Sequence, residues 1–348
     1  MSRATIKDVA RAAGVSPSAV SRVFTEGASA SAKTRAKVMA AAQRLNYRPS
    51  LLARGLVGNR TNLLTLVMGG MSDPFDARFL DAFSQALAAR GARLMLASAA
   101  PQNSNTADSA DSGLLQALDY RSDAVVIAAG TMSLEHSALC VKAGLPVILA
   151  GRVLEAPGVD SVLADNQGGG RQAAELLIRT GCRRLAYLGR GGATFSDRER
   201  FEGFATAAAE AGLGVMEQAV AARSDQAAFE AATALLSGPA RPDGLFCSTD
   251  SVALPAIEAA RAVGLTVPGD VSIIGFNNGP NAARRSFQLT TLDYPVTAVV
   301  AAILALIDSR LAAPQRPNER QRIPVRMVVR ATTLSRAPQA ETHRRAAS

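Results

Sequence analysis

From residue 61 onward, short apolar runs alternate with longer stretches in which apolar positions recur every three or four residues. The first runs predict a strand at 63–68, a helix at 78–90 closed by Gly91, and strands at 93–98, 123–128 and 146–150. Helices near 107–119 and 133–143 separate the later strands. A second series follows: helix 167–180, strand 184–189, helix 196–211, strand 218–222, helix 225–237, strand 245–248, helix 251–263 and strand 271–276. One more strand is expected at 323–329. Short strands between amphipathic helices predict an α/β fold whose parallel sheets are joined by right-handed crossovers. In a chain of 348 residues, two such lobes are expected, with a cleft at the carboxyl ends of the strands.

The N-terminal residues keep the helical period alone, in short pieces. Thr5 with Asp8 three residues on reads as an N-cap with an acidic partner. Ile6, Val9, Ala10 and Ala13 form the inner stripe, Gly14 ends the helix and Val15 fills the core from the turn. Ser16 caps a second helix with Pro17 in its first position, where the missing N–H costs nothing. Val20, Val23 and Phe24 face inward there, leaving Ser18, Ser21 and Arg22 outside. A third helix, from Ser31 through Val38, Ala42 and Leu45, closes the bundle. Two short helices joined by a glycine turn, the second with a polar outer face, read as a helix-turn-helix.

Charge sharpens that reading. Residues 1–60 carry eleven Lys and Arg against Asp8 and Glu26, a net +9 that equals the charge of the whole chain, so the rest is balanced. Neutralising phosphates needs local charge, which points to nucleic acid. A solvated basic face, or a generic three-helix bundle, is the competing explanation. Beyond Tyr47, Pro49 can open a short helix with Leu52 and Leu56 on one side. One or two turns are marginal in water and Gly55 weakens them further. Such an element folds only against its twin or DNA, unless the stretch is a plain linker.

The runs TIKDVARAAGVSPSAVSRV (5–23), SAKTRAKV (31–38), LNYRPS (45–50) and ARGL (53–56) resemble the headpiece and hinge of the lactose-repressor (LacI/GalR) family of bacterial transcription regulators. The resemblance implies that the second helix enters the major groove, with Pro17, Ser18 and Arg22 in base-reading positions. It also implies that Leu56 is the leucine which paired hinge helices wedge into the minor groove, where unstacking is offset by added contact. The side-chain chemistry agrees. Arg22 can fork onto guanine O6 and N7, worth about 1–3 kcal/mol of discrimination, whereas Ser18 offers one hydroxyl and Pro17 no donor. Thr5, Ser16, Ser21 and Tyr47 suit phosphate contacts, which set register without reading sequence.

In the body, SDPFDA (72–77), VLADNQGGGRQAAELL (162–177), RERFEGF (198–204), PDGLFCSTDSVA (242–253), VPGDVSIIGFNN (267–278) and LTTLDYPV (289–296) resemble the family's effector domain, which is similar to periplasmic sugar-binding proteins. The resemblance implies a headpiece at 1–48, a hinge helix and linker at 49–60, a two-lobed effector-binding and dimerisation domain at 61–335 and a polar tail at 336–348. Three chain crossings would divide the body into lobe one, about 61–162 plus 293–320, and lobe two, about 163–290 plus 322–335. Motif positions place Phe75, Asp76, Arg152, Asp165, Arg200, Phe246, Asp250 and Asn277 in the cleft, with Thr249 beside Asp250. These are polyol-binding types: aromatic rings for a sugar's apolar face, carboxylates to accept hydroxyl hydrogen bonds, and Arg200 to fork onto vicinal oxygens or a carboxylate. Arg200 and Asp250 pairing across a helix–strand junction, and Phe246 as plain core, are the alternatives. Asn277 departs from the family's common Asp, and Asp76 stands where an aromatic is frequent, which favours a hydroxyl-rich ligand.

Other chemistries find little footing. His136 and Cys140 lie four apart on one predicted helix without a suitably spaced third ligand, so no metal or cofactor is expected. The glycine runs at 168–170 and 189–192 lack the Lys-Ser/Thr of a phosphate loop and the GxGxxG of a dinucleotide fold. Three scattered cysteines and an N-terminus without an apolar h-region suggest a reducing bacterial cytoplasm. The apolar run 296–307 is too short for a bilayer, and no membrane is expected. These features together predict a non-enzymatic, ligand-responsive transcription regulator, in its simplest form a repressor, binding a near-palindromic operator as a homodimer. Its effector is expected to be a sugar or sugar acid. An architectural DNA binder, and an enzyme or solute-binding protein with an incidental DNA module, are the alternatives. LSRAPQAETHRRAAS (334–348) carries no leucine heptad, so a dimer is expected over a coiled-coil tetramer.

Overall fold

The structure, a computed structural model, describes residues 4–24, 28–47, 60–71, 73–99, 110–130, 132–191 and 194–333. The hinge helix expected at 49–56, Leu56 and the polar tail lie outside the described residues.

Three helices form the headpiece: Ile6–Ala13, Pro17–Phe24 and Ala32–Arg44. Thr5 and Asp8 make a reciprocal capping box, and Gly14 closes the first helix in the left-handed region at φ 64°, where glycine carries no Cβ penalty. Ser16 Oγ accepts from the Ala19 amide at 3.2 Å, and Ser31 caps the third helix. Val9, Ala10, Ala13, Val20, Val23, Val38, Ala41 and Ala42 form one small core.

The body holds two six-stranded sheets. The first contains β1 (Leu63–Met68), β2 (Arg93–Ser98), β3 (Ala124–Ile127), β4 (Val147–Ala150), β5 (Val159–Ala164) and β11 (Arg320–Ile323). Its order is β11-β5-β4-β3-β1-β2, all parallel. The second contains β6 (Leu185–Gly189), β7 (Val215–Ala219), β8 (Gly244–Cys247), β9 (Ser272–Asn277), β10 (Thr290–Asp293) and β12 (Arg326–Val328). Its order is β12-β10-β9-β8-β6-β7, with only the β10–β12 pair antiparallel. Central strands such as β3, β4 and β8 are buried along their whole length, as expected for parallel strands covered on both faces.

The structure corrects several expectations. One strand was expected at 323–329, but the chain splits there at Pro324, which lacks the N–H a ladder needs. β11 completes the first sheet and β12 the second. The first lobe therefore keeps the chain through Ala164 and again through Ile323, a few residues beyond the boundaries at 162 and 320. The strand expected at 218–222 lies at Val215–Ala219, because Ser224 is already capping the next helix, Asp225–Ser237. β5 and β10 escaped the apolar-run reading. In β5 the reason is Asp160, a fully buried carboxylate that receives Arg310 at 2.6 Å and Arg316 at 2.8 Å. The apolar run at 296–307 belongs to the helix Val296–Ala312, which packs on the first lobe.

Candidate effector cleft and nucleic-acid interface

The second headpiece helix presents its polar face outward. Ser16, Pro17, Ser18 and Arg22 are exposed and Ser21 is half-buried. Ser16 Oγ and Ser18 Oγ lie 2.9 Å apart, so the helix N-terminus offers a short hydroxyl row beside Arg22. Arg35 holds the third helix to this one through the Val23 carbonyl at 3.0 Å, which fixes the angle at which that face is presented. The Thr5 hydroxyl donates to Asp8 at 2.7 Å, and these Thr5 hydrogen bonds hold the Asp8 carboxyl below its usual range. Tyr47 is half-buried with its ring edge-on to Phe24 at 6.0 Å.

A cavity of about 180 Å³ lies between the lobes at the carboxyl ends of the strands. Phe75, Asp76, Arg152, Arg200, Thr249 and Asn277 line it. Phe75 and Asp76 reach it because Asp73 caps the helix Pro74–Ala89 through the Phe75 amide at 2.9 Å. Phe75 stands edge-on to Tyr294, ring centroids 4.7 Å apart. Burial pushes the Asp76 carboxyl up, against the pull of Arg223, and pulls the Arg152 guanidinium down to about 10. Asp76 Oδ2 and Arg152 Nε are buried without a hydrogen-bond partner among the described residues. An orphaned acceptor and an orphaned donor on one cavity wall fit a ligand carrying both O–H donors and acceptors.

Arg200 is anchored to the protein through two of its donors. Its Nε donates to Asn166 Oδ1 at 2.9 Å, its Nη1 to the Ser248 carbonyl at 2.5 Å, and its plane lies 3.7 Å over the Phe276 ring. Arg322 donates to Glu199, which also accepts from Asn166 at 3.3 Å. A polar relay thus connects the cleft floor to β11, the strand on which the chain crosses between lobes.

Three expected residues do not line the cavity. Phe246 is fully buried in the core against Tyr187 and Phe204, since the end of a parallel strand still lies beneath its covering helices. Asp250 turns under the cleft floor, accepting from Thr291 Oγ1 at 2.5 Å and the Gly279 amide at 2.6 Å. Burial pushes its carboxyl up to about 7 despite those bonds. Asp165 caps the helix Asn166–Arg179 through the Gly168 amide at 3.0 Å. Neither Asp250 nor Arg200 pairs with the other.

The structure adds lining residues that motif positions did not mark: Asp73, Phe79, Ser196, Arg223 and Tyr294. Two of them bridge the lobes. Asp73 Oδ2 accepts from Ser251 Oγ at 2.7 Å, and Ser196 Oγ donates to the Gly151 carbonyl at 3.0 Å. Arg223 lies just before the Ser224 cap and Ser251 in the first turn of the helix Asp250–Ala262, positions where a functional side chain carries no pattern of its own. His136 sits outside the cleft, 2.9 Å from Asp111. Among the described residues no group of three or more His, Cys, Asp or Glu is placed to hold a metal ion, and no helix is long and apolar enough to cross a membrane.

Comparison with known proteins places this geometry among relatives. Residues 5–50 match the family described as bacterial regulatory proteins, lacI family, and residues 174–333 match a periplasmic binding protein-like domain. The chain is 30% identical to the HTH-type transcriptional regulator DegA of Bacillus subtilis (strain 168), covering 95% of this chain and 98% of that protein. It is 31% identical to the HTH-type transcriptional regulator GalR of Escherichia coli (strain K12), over 88% and 90%. A crystal structure of the lac repressor dimer bound to operator and the anti-inducer ONPF superposes with a TM-score of 0.83 at 23% identity, covering 96% of this chain and all of that one.

Proposed function

This chain belongs to the lacI family of bacterial regulatory proteins, whose members are DNA-binding transcriptional regulators, and on that premise we propose that it is a repressor controlled by a small polyhydroxylated molecule. Two headpieces of a homodimer bind a near-palindromic operator, with Arg22 reading a guanine and Pro17 and Ser18 making closer, less discriminating contact. Thr5, Ser16, Ser21 and Tyr47 set register on the phosphates, and Leu56 wedges the operator centre. The effector, a sugar or sugar derivative, occupies the interlobe cleft and touches Phe75, Asp76, Arg152, Thr249 and Asn277. Arg200 holds the floor beneath it, while Asp165, Phe246 and Asp250 support the site from outside.

The observation that carries this reading is the cleft wall on which Asp76 Oδ2 and Arg152 Nε are buried without partners. Natural interiors satisfy such groups, so a ligand with hydroxyls to donate and oxygens to accept completes the wall. Occupancy changes the relation of the lobes and thereby DNA affinity, and this coupling is reciprocal.

The test is selection of duplexes from a random pool by the full chain, followed by titration of the selected site and of random duplex at two salt concentrations. A near-palindromic site is expected, preferred over random DNA. Arg22→Ala should erase most of that preference, by about 1–3 kcal/mol for a lost bidentate contact, and leave salt-sensitive random binding intact. Equal losses on both duplexes would refute the role of Arg22. Failure to enrich any site would favour an architectural DNA binder.

A further inference from the structure

A second, smaller cavity of about 90 Å³ adjoins the effector cleft and shares Asp73, Arg223 and Thr249 with it. Its wall carries Arg190, Arg223, Ser224, Ser248, Thr249 and Ser251. Two arginines line this cavity together with Asp73 and Asp225. Burial pulls the Arg190 guanidinium down and Arg223 pulls it further. Arg190 Nε is buried with no hydrogen-bond partner among the described residues, while Arg223 is exposed at the mouth. The helix Asp250–Ala262 starts at this cavity from Thr249, whose side chain makes no capping bond. Instead the Thr249 and Ser251 hydroxyls lie 2.8 Å apart.

The nearby acids are largely engaged. Asp73 takes the Ser251 hydroxyl and the Phe75 amide, and Asp197 takes the Arg190 amide and the Tyr187 hydroxyl. Asp225 lies in the first turn of its own helix. The two joined cavities are lined by Arg152, Arg190, Arg200 and Arg223 with Asp73, Asp76 and Asp225, and Asp197 stands behind Arg190. Arg200, the residue whose family position suggests carboxylate recognition, has two of its donors committed to Asn166 and Ser248. The arginines of the smaller cavity, Arg190 and Arg223, stand apart from that anchored group.

Resting on the effector reading above, we propose that the smaller cavity is an anion subsite and that the effector is an acidic polyol. Its hydroxylated body lies in the larger cleft against Asp76 and Arg152. Its terminal carboxylate or phosphate sits between Arg190 and Arg223, accepting from both guanidinium groups. Charge pairing of this kind satisfies the buried Arg190 Nε, which has no partner among the described residues, while Arg223 closes on the anion from the exposed mouth. A neutral sugar would fill the larger cleft and leave Arg190 Nε without a partner.

The experiment measures melting and calorimetric binding of the full chain with D-gluconate, D-glucuronate and D-glucose 6-phosphate, with D-glucose as neutral parent and inorganic phosphate as the free anion. Ionic strength is held constant. The acidic polyols should bind at least tenfold more tightly than D-glucose, and Arg223→Gln should abolish that margin without changing the unliganded melting temperature. Arg223→Lys should restore part of it, and Arg190→Gln should repeat the loss. A preference for the 6-phosphate identifies a phosphoryl group, and a preference for gluconate or glucuronate a carboxylate. D-Glucose binding as tightly as its acidic forms, unaffected by Arg223→Gln, would overturn the anion subsite while leaving the effector cleft standing. Binding of inorganic phosphate alone would leave the subsite adventitious and overturn the acidic-polyol assignment. Absence of binding by every polyol would overturn the effector reading on which it rests.

Discussion

Asp250 shows how depth changes what a residue does. In sequence it is a carboxylate in a family motif, suited to a sugar hydroxyl. In the fold it is buried, clamping the Thr291 hydroxyl and the Gly279 amide, with its pKa pushed up from 3.8 to about 7. The folded state therefore holds the Asp250 proton more tightly than the unfolded chain does. Its stabilising contribution is complete below the unfolded pKa and is lost as pH rises through the folded value. Between about pH 4 and 7 this residue should therefore lower stability progressively as pH rises. Urea unfolding of the wild type and Asp250→Asn across that range checks it. The difference between the two curves should shrink the wild type's relative stability as pH rises, and a pH-independent difference would refute the assignment. Phe246 makes the same point without charge: an aromatic at the end of a strand can be core as readily as a stacking platform.

At the scale of elements, the glycine triplet 168–170 finds a mechanical explanation. The helices Asn166–Arg179 and Phe195–Glu210 pack backbone to backbone. A Cβ on Gly170 would lie 2.1 Å from the Arg200 carbonyl oxygen, and one on Gly203 would lie 2.0 Å from that of Gln167. Each glycine admits the other helix, and the close approach sets Arg200 and Asn166 within hydrogen-bond distance. Gly203→Ala should therefore cost at least about 1–3 kcal/mol by overpacking, measured as a lower urea midpoint. It should also weaken effector binding by displacing Arg200, whereas an exposed alanine substitution in the same helix should do neither. No close-packing rule is visible in the string GGG, which reads equally as a loop.

Across the whole molecule, two side-chain bonds, Ser251 to Asp73 and Ser196 to Gly151, tie the lobes at the cleft. Arg78 adds a third tie, reaching the Asn277 and Asn278 carbonyls at 3.0 and 3.1 Å. Effector at 100 times its Kd should add about 2.7 kcal/mol to the folded state, a shift of a few degrees in Tm. Sedimentation of the full chain tests the proposed homodimer, and a dimer is the expected outcome. A tetramer persisting on dilution would contradict this and place a further interface on the body.

The headpiece was legible from sequence almost residue by residue. Its caps, its glycine turn and its inner stripe are local, and a short helix obeys the same rules wherever it is placed. The parallel α/β architecture was equally legible, because buried strands and amphipathic helices have different periods. The sequence resolved less well where a polar residue lay inside a strand, as at Asp160, or where one apolar run served two sheets, as on either side of Pro324. Tertiary structure alone decided which motif carboxylates face the cleft, how Arg200 is anchored beneath it, and that Arg190, Arg223 and Asp73 meet at one cavity. Those facts depend on the depth and direction of side chains from segments far apart in the chain. Local periodicity encodes the face a residue occupies within its own element, and only packing between elements fixes what that face meets.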